Sequence, residues 1–112
     1  MSESSDITNP LIKMLNQTGG LALRMNSGTI RVGKRYIKLQ EEGTADILFF
    51  PRPRLDPYRD TSPVWIETKA PHGKTAKSRV EAQARFRQKV EDLGHRYVFA
   101  VSVWEGFDLA TQ

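Results

Sequence analysis

Apolar residues in this chain group in two ways, as short unbroken runs and as stripes at helical spacing. The first stripe is Leu11, Ile12 and Leu15. It predicts a short helix from about Asn9 to Gln17, with Pro10 in its first turn and Asp6 or Thr8 as the cap. Gly19-Gly20 ends it. Residues Ser2 to Asp6 read as a frayed end. Leu21 to Asn26 alternates weakly, as a strand does, and Thr29 to Leu39 reads as a hairpin turning at Gly33-Lys34. "ADILFF", Ala45 to Phe50, is a continuous apolar run, the pattern of a strand covered on both faces. Pro51 to Pro63 holds four prolines and reads as a loop. Val64 to Lys69 is a second buried strand. Ser78 to Leu93 is the strongest helix, with Ala82, Phe86, Val90 and Leu93 on one stripe and Gly94 as its stop. Arg96 to Val103 predicts another strand, and Trp104 to Leu109 a short closing helix. This order predicts one domain of the α/β (α+β) class, a mixed sheet covered by helices on both faces.

One strand does not fit a purely structural role. In "VWIETKAP" the side chains of Trp65, Glu67 and Lys69 fall on one face, so an acid and a base follow a large indole. Asp46 is the only charge in the "ADILFF" strand and lies at its beginning. If the two strands are antiparallel neighbours, Asp46 meets the Glu67–Lys69 end. Two crowded carboxylates need a cation. Lys69 supplies one, and a hard divalent metal such as Mg²⁺ or Mn²⁺ would supply another. Such a metal polarises a phosphodiester oxygen and activates water. Gln83 shares the inward stripe of the long helix with Phe86 and Val90, so its amide points toward the same end of the sheet. The bland alternative is a structural ion pair of Lys69 with Glu67 or Asp46.

Composition narrows the setting. The 112 residues contain no cysteine, which excludes disulfides and thiolate metal sites. No apolar run approaches the length of a membrane span, and the polar start does not resemble a secretory signal, so a cytoplasmic location is the expectation. The net charge is +4, a mild preference for an anionic partner. Its distribution is more telling. Between Ala70 and Val90, Lys74, Lys77, Arg79, Arg85, Arg87 and Lys89 face one acid, Glu81. Lys74, Lys77 and Arg79 follow the charged strand directly and are candidates for nucleic-acid contact, as is Arg24. His72 and His95 read as solvated, and Tyr36, Trp104 and Phe107 as packing residues.

In order, "RMNSG" (Arg24 to Gly28), "GTADILFF" (Gly43 to Phe50), "VWIETKAPHGK" (Val64 to Lys74), "QARF" (Gln83 to Phe86) and "LGHRYVFAVS" (Leu93 to Ser102) resemble blocks of the VRR-NUC family. That family belongs to the PD-(D/E)XK, restriction-endonuclease-like nuclease superfamily, whose core runs αβββαβ. The resemblance covers roughly Leu11 to Leu109. It implies metal ligands at Asp46, Glu67 and the backbone carbonyl of Thr68, a catalytic Lys69, and Gln83 beside it. It implies a Mg²⁺- or Mn²⁺-dependent endodeoxyribonuclease acting on branched DNA, similar to Holliday junction resolvases of bacterial or viral replication and repair, and working as a homodimer. Ala45 stands where the superfamily's name has proline. The further acid expected from the first helix has Glu3, Asp6 and Asn9 as candidates. Two other readings stay open: a nucleic-acid-binding module on the same fold with an incomplete metal site, and a protein-interaction domain.

Overall fold

The computed structural model describes residues 4–25, 29–38, 41–53, 61–69 and 77–112. A π-helical turn, Ser4–Thr8, leads into α1, Asn9–Gln17. The strands are β1 Leu21–Arg24, β2 Thr29–Val32, β3 Arg35–Lys38, β4 Ile47–Phe50, β5 Val64–Thr68 and β6 Arg96–Ala100. Helix α2, Lys77–Asp92, lies between β5 and β6, and α3, Val103–Ala110, closes the chain.

Four strands form the central sheet in the order β1-β4-β5-β6. β4 is antiparallel to β1 and to β5, and β5 is parallel to β6. The sheet is therefore mixed. A parallel pair needs a long crossover, and α2 is that crossover. Among the described residues, β2 and β3 pair only with each other.

Alternation along β5 sends its residues to two different layers. Val64 and Ile66 are fully buried and join Ile47, Phe49, Leu11, Leu15, Ala100 and Ala110 in the main core, with α1 and α3 against that face. Truncating such a side chain, Leu11 for example, costs about 2–5 kcal/mol. Gly106 of α3 sits so close to Leu11 and Ala100 that a Cβ there would collide with the Leu11 side chain. Trp65 and Glu67 face the other way, toward α2. Trp65 meets Phe86 edge to face with centroids 5.0 Å apart. The molecule is thus a mixed α+β structure with helices on both faces of a central sheet. No helix among the described residues is long and apolar enough to cross a membrane.

Several expectations need correction. Ser4 to Asp6 belong to the π-helical turn rather than a frayed end. Thr8 does not cap α1: it is itself helical, and its side chain makes no capping bond. β6 stops at Ala100, three residues short of the expected Val103. Ser102 leaves the strand to cap α3, its Oγ accepting from Glu105 N–H at 3.1 Å while Glu105 Oε1 accepts from Val101 N–H. That is a capping arrangement written in the sequence as S-x-x-E. Leu93 is not on the buried stripe of α2, being 74% exposed beyond the helix end. Tyr36 and Trp104 are exposed as well, against the packing role expected of them, whereas Phe107 does pack on the core.

Candidate functional site

The register of β4 with β5 sets Ile47 opposite Ile66, which carries Asp46 to the end of β5 that holds Glu67 and Thr68. Asp46 is held there from both sides. Its backbone carbonyl accepts from Met25 N–H at 2.7 Å. Its Oδ2 accepts from the N–H and the hydroxyl of Thr68, each at 2.9 Å. Asp46 Oδ1 takes no hydrogen bond from a described residue.

Thr68 links this carboxylate to the other face of the sheet. Its hydroxyl lies 2.6 Å from that of Thr8, and both residues are buried. Thr68 gives its only hydroxyl proton to Asp46, so Thr8 must donate to Thr68. The chain Thr8 → Thr68 → Asp46 fixes the aspartate from the helical turn that precedes α1. The side chain expected to cap a helix orients an acid instead.

Glu67 is 2% exposed. Gln83 reaches it from α2, its amide nitrogen donating to Glu67 Oε1 at 3.0 Å. The contact depends on how closely α2 lies on the loop before β4. Gly43 has φ +87° and packs on the backbone of Ala82 and Gln83, where a Cβ would overlap the Ala82 carbonyl. Lys89 Nζ adds an exposed ion pair with Glu41 of the same loop at 2.6 Å.

Lys69 follows the last residue of β5. Its N–H is held by Ala100 C=O at 2.9 Å and its side chain is half-buried. It forms no ion pair with Glu67 or Asp46. Thr68 donates to Asp46, and Gln83 donates to Glu67.

Tyr97 was not anticipated. It neighbours Trp65 in the β5–β6 ladder, with Phe86 6.4 Å away and the Arg87 guanidinium 5.1 Å over its ring. Burial pushes its phenol pKa well above the ordinary tyrosine value. The charge of Glu67 adds to this, Arg87 opposes it, and Asp46 and Glu91 raise it further. Both carboxylates of the site thus act on this phenol. The sequence alone does not single it out: Tyr97 takes the in–out phase of Trp65 only once β5 and β6 pair in parallel.

The proposed nucleic-acid contacts separate. Arg24 ends β1, next to Ile47, and Nη1 donates to Asn9 Oδ1 at 3.0 Å. Lys77 and Arg79 are exposed in the first turn of α2, Arg79 one turn before Gln83. Arg87 is engaged by Glu91 at 3.1 Å. Lys74 and His72 lie outside the described residues, and His95 is exposed. Of the first-helix candidates, Asp6 is exposed, Asn9 binds Arg24, and Glu3 lies outside the described residues. Among the described residues, no three His, Cys, Asp or Glu side chains converge as a metal cluster.

No family model matches this chain. No curated protein and no solved structure matches it either.

Proposed function

We propose that the chain is a metal-dependent DNA endonuclease with a restriction-endonuclease-like core, selective for branched DNA and acting as a homodimer in replication or repair. The observation that carries this reading is the meeting of Asp46 and Glu67 at adjoining strand ends, Asp46 held by the N–H and hydroxyl of Thr68 and Glu67 by the amide of Gln83. With the β2–β3 hairpin set aside, the order α1, β1, β4, β5, α2, β6 parallels the αβββαβ core of that superfamily.

An all-oxygen donor set of two carboxylates and the Thr68 carbonyl suits Mg²⁺ or Mn²⁺. Asp46, Glu67 and Thr68 would hold the ion. Bound there, it supplies Lewis-acid polarisation of a phosphodiester and a more acidic water. Lys69 stabilises charge that builds on the phosphoryl oxygens. Gln83 holds Glu67 in place, and Arg24, Lys77 and Arg79 hold the backbone through phosphates, which positions DNA without reading its sequence.

The test is a cleavage panel of synthetic junctions, flaps and plain duplex in Mg²⁺ and in Mn²⁺. Nicking of branched DNA is expected, lost in Glu67→Ala and Lys69→Ala variants that still fold. Intact substrates under both metals would remove the enzyme reading. One observation favours a second reading, a DNA-binding module with an incomplete metal set. The turn before α1 contributes the Thr8 hydroxyl to the site, while Asp6 stays exposed. That reading expects salt-sensitive binding with no heat of Mn²⁺ binding by calorimetry.

A further inference from the structure

Among the described residues the β2–β3 hairpin takes no part in the central sheet and has no role in the site above. Its ten residues, Thr29 to Lys38, include four cations and no acid, as many positive charges as the net charge of the whole chain. Arg31, Val32, Lys34, Arg35 and Tyr36 are all exposed. Tyr36 stands directly across from Arg31, and Val32 across from Arg35. Gly33 and Lys34 form the tip. Arg31 Nε donates to Gly33 C=O at 3.0 Å, which draws that guanidinium toward the tip. None of Arg31, Lys34 and Arg35 pairs with an acid of a described residue, whereas Arg87 and Lys89 on α2 both do.

A solubilising role explains the charges alone, since lysine and arginine discourage edge-to-edge pairing. It does not explain a tyrosine left 71% exposed and a valine 52% exposed among them. Nor does it explain why an isolated two-stranded ribbon is kept, as such hairpins are marginally stable in water. A polyanionic partner that neutralises the cations and covers Tyr36 offsets that weakness. A two-stranded ribbon also has a size match, because the major groove of B-DNA, about 12 Å wide, admits one.

We propose that the β2–β3 hairpin is a DNA-contacting arm that sets Arg31, Lys34 and Arg35 against the phosphates of a duplex, with Tyr36 on the sugar-phosphate wall beside Arg31. The arm rests on the DNA reading of the protein but not on cleavage.

The test is fluorescence-anisotropy binding of a short labelled duplex in EDTA, so that no chemistry intervenes, with salt stepped through about 50–200 mM. Arg31→Ala/Lys34→Ala/Arg35→Ala is expected to weaken binding at least about tenfold and to lower the salt slope by about 2 to 3. Arg31→Lys/Arg35→Lys keeps the affinity within about twofold, and so does Lys13→Ala on α1, which removes a charge elsewhere. If the triple variant does not fold, Lys34→Ala at the tip carries the test with a slope loss of about 1. An unchanged affinity and slope in the hairpin variants would overturn the arm. So would polyglutamate of matched charge competing as well as unlabelled duplex, since the surface would then take any polyanion. Hairpin-dependent binding by a protein that cleaves nothing in Mg²⁺ or Mn²⁺ supports the arm and removes the nuclease. Wild-type protein that binds no DNA removes both.

Discussion

Thr68 offers the site a side chain as well as the backbone carbonyl proposed above as a metal ligand. Its hydroxyl stands between Thr8 and Asp46. Thr68→Val should cost about 1–3 kcal/mol, because it leaves the Thr8 hydroxyl buried without an acceptor and removes one donor from Asp46. Thr68→Ser should cost less than about 1 kcal/mol. Thr8→Val in the Thr68→Val background should recover part of the loss, since a matched apolar pair leaves no orphan. Urea unfolding of the wild type and these three variants measures the effects, and equal losses for Val and Ser would show that the hydroxyl is idle. Tyr97 gives a second prediction. Its folded pKa lies above the unfolded value of about 10. Above that pH the unfolded chain sheds a proton that the native state keeps, so stability should fall as pH rises past about 10. Below it the contribution is complete. Thermal melts of wild type and Tyr97→Phe from pH 8 to 11 should converge at the low end, with the flatter alkaline decline in the variant. Asp46, Glu67 and Gln83 were legible because each breaks its local pattern. Thr8 and Tyr97 were not, because each fits its pattern well, Thr8 as a helix cap and Tyr97 as a strand aromatic. Only the third dimension gives them neighbours.

At the scale of elements, periodicity located α1, the β2–β3 hairpin, β4, β5 and α2 within a residue or two at most ends. It failed at the boundary between β6 and α3. "AVSVW" is apolar enough to continue a strand, and the capping signal of Ser102 and Glu105 outweighs that propensity by satisfying two backbone N–H groups. Leu93 misled for a related reason: helical spacing does not show where a helix runs past the sheet it covers. How α2 docks was likewise invisible to hydrophobicity, since its closest approach is backbone on backbone at Gly43. Gly43→Ala should therefore be costly, about 2–4 kcal/mol, from a left-handed φ together with overlap at Ala82. Gly33 also has a positive φ, +64°, but open space around it. Gly33→Ala should cost only the conformational term, about 1–2 kcal/mol. Because α2 carries Gln83, Gly43→Ala should also shift the Gln83 side-chain amide resonances, while Gly33→Ala leaves them in place. Equal destabilisation by both substitutions would mean that α2 does not rest on the loop.

Across the whole molecule, the two layers beneath and above the sheet do different work, and Glu67 shows it. The α1–α3 face is an apolar core, whereas the α2 face buries the Glu67 carboxylate against Gln83, on the side of the sheet where Trp65 meets Phe86. Taking a carboxylate out of water costs several kcal/mol before its contacts repay any of it. A protein of marginal stability keeps such a group for function more readily than for strength. Glu67→Gln preserves the shape and can still accept from Gln83, but removes the charge. If Glu67 is a metal ligand, the metal-free variant should be as stable as wild type or more so, by up to about 2 kcal/mol. Mn²⁺ at a hundredfold excess over its Kd should stabilise the wild type by about 2.7 kcal/mol, a rise in Tm on the order of 10 °C. The variant should show almost none of that rise. A purely structural Glu67 gives the opposite pair of results, a lower Tm for Glu67→Gln without metal and no response of either protein to Mn²⁺. Differential scanning calorimetry of both proteins, with and without Mn²⁺, separates the two without any DNA present. The metal question is thus decided apart from the question of substrate.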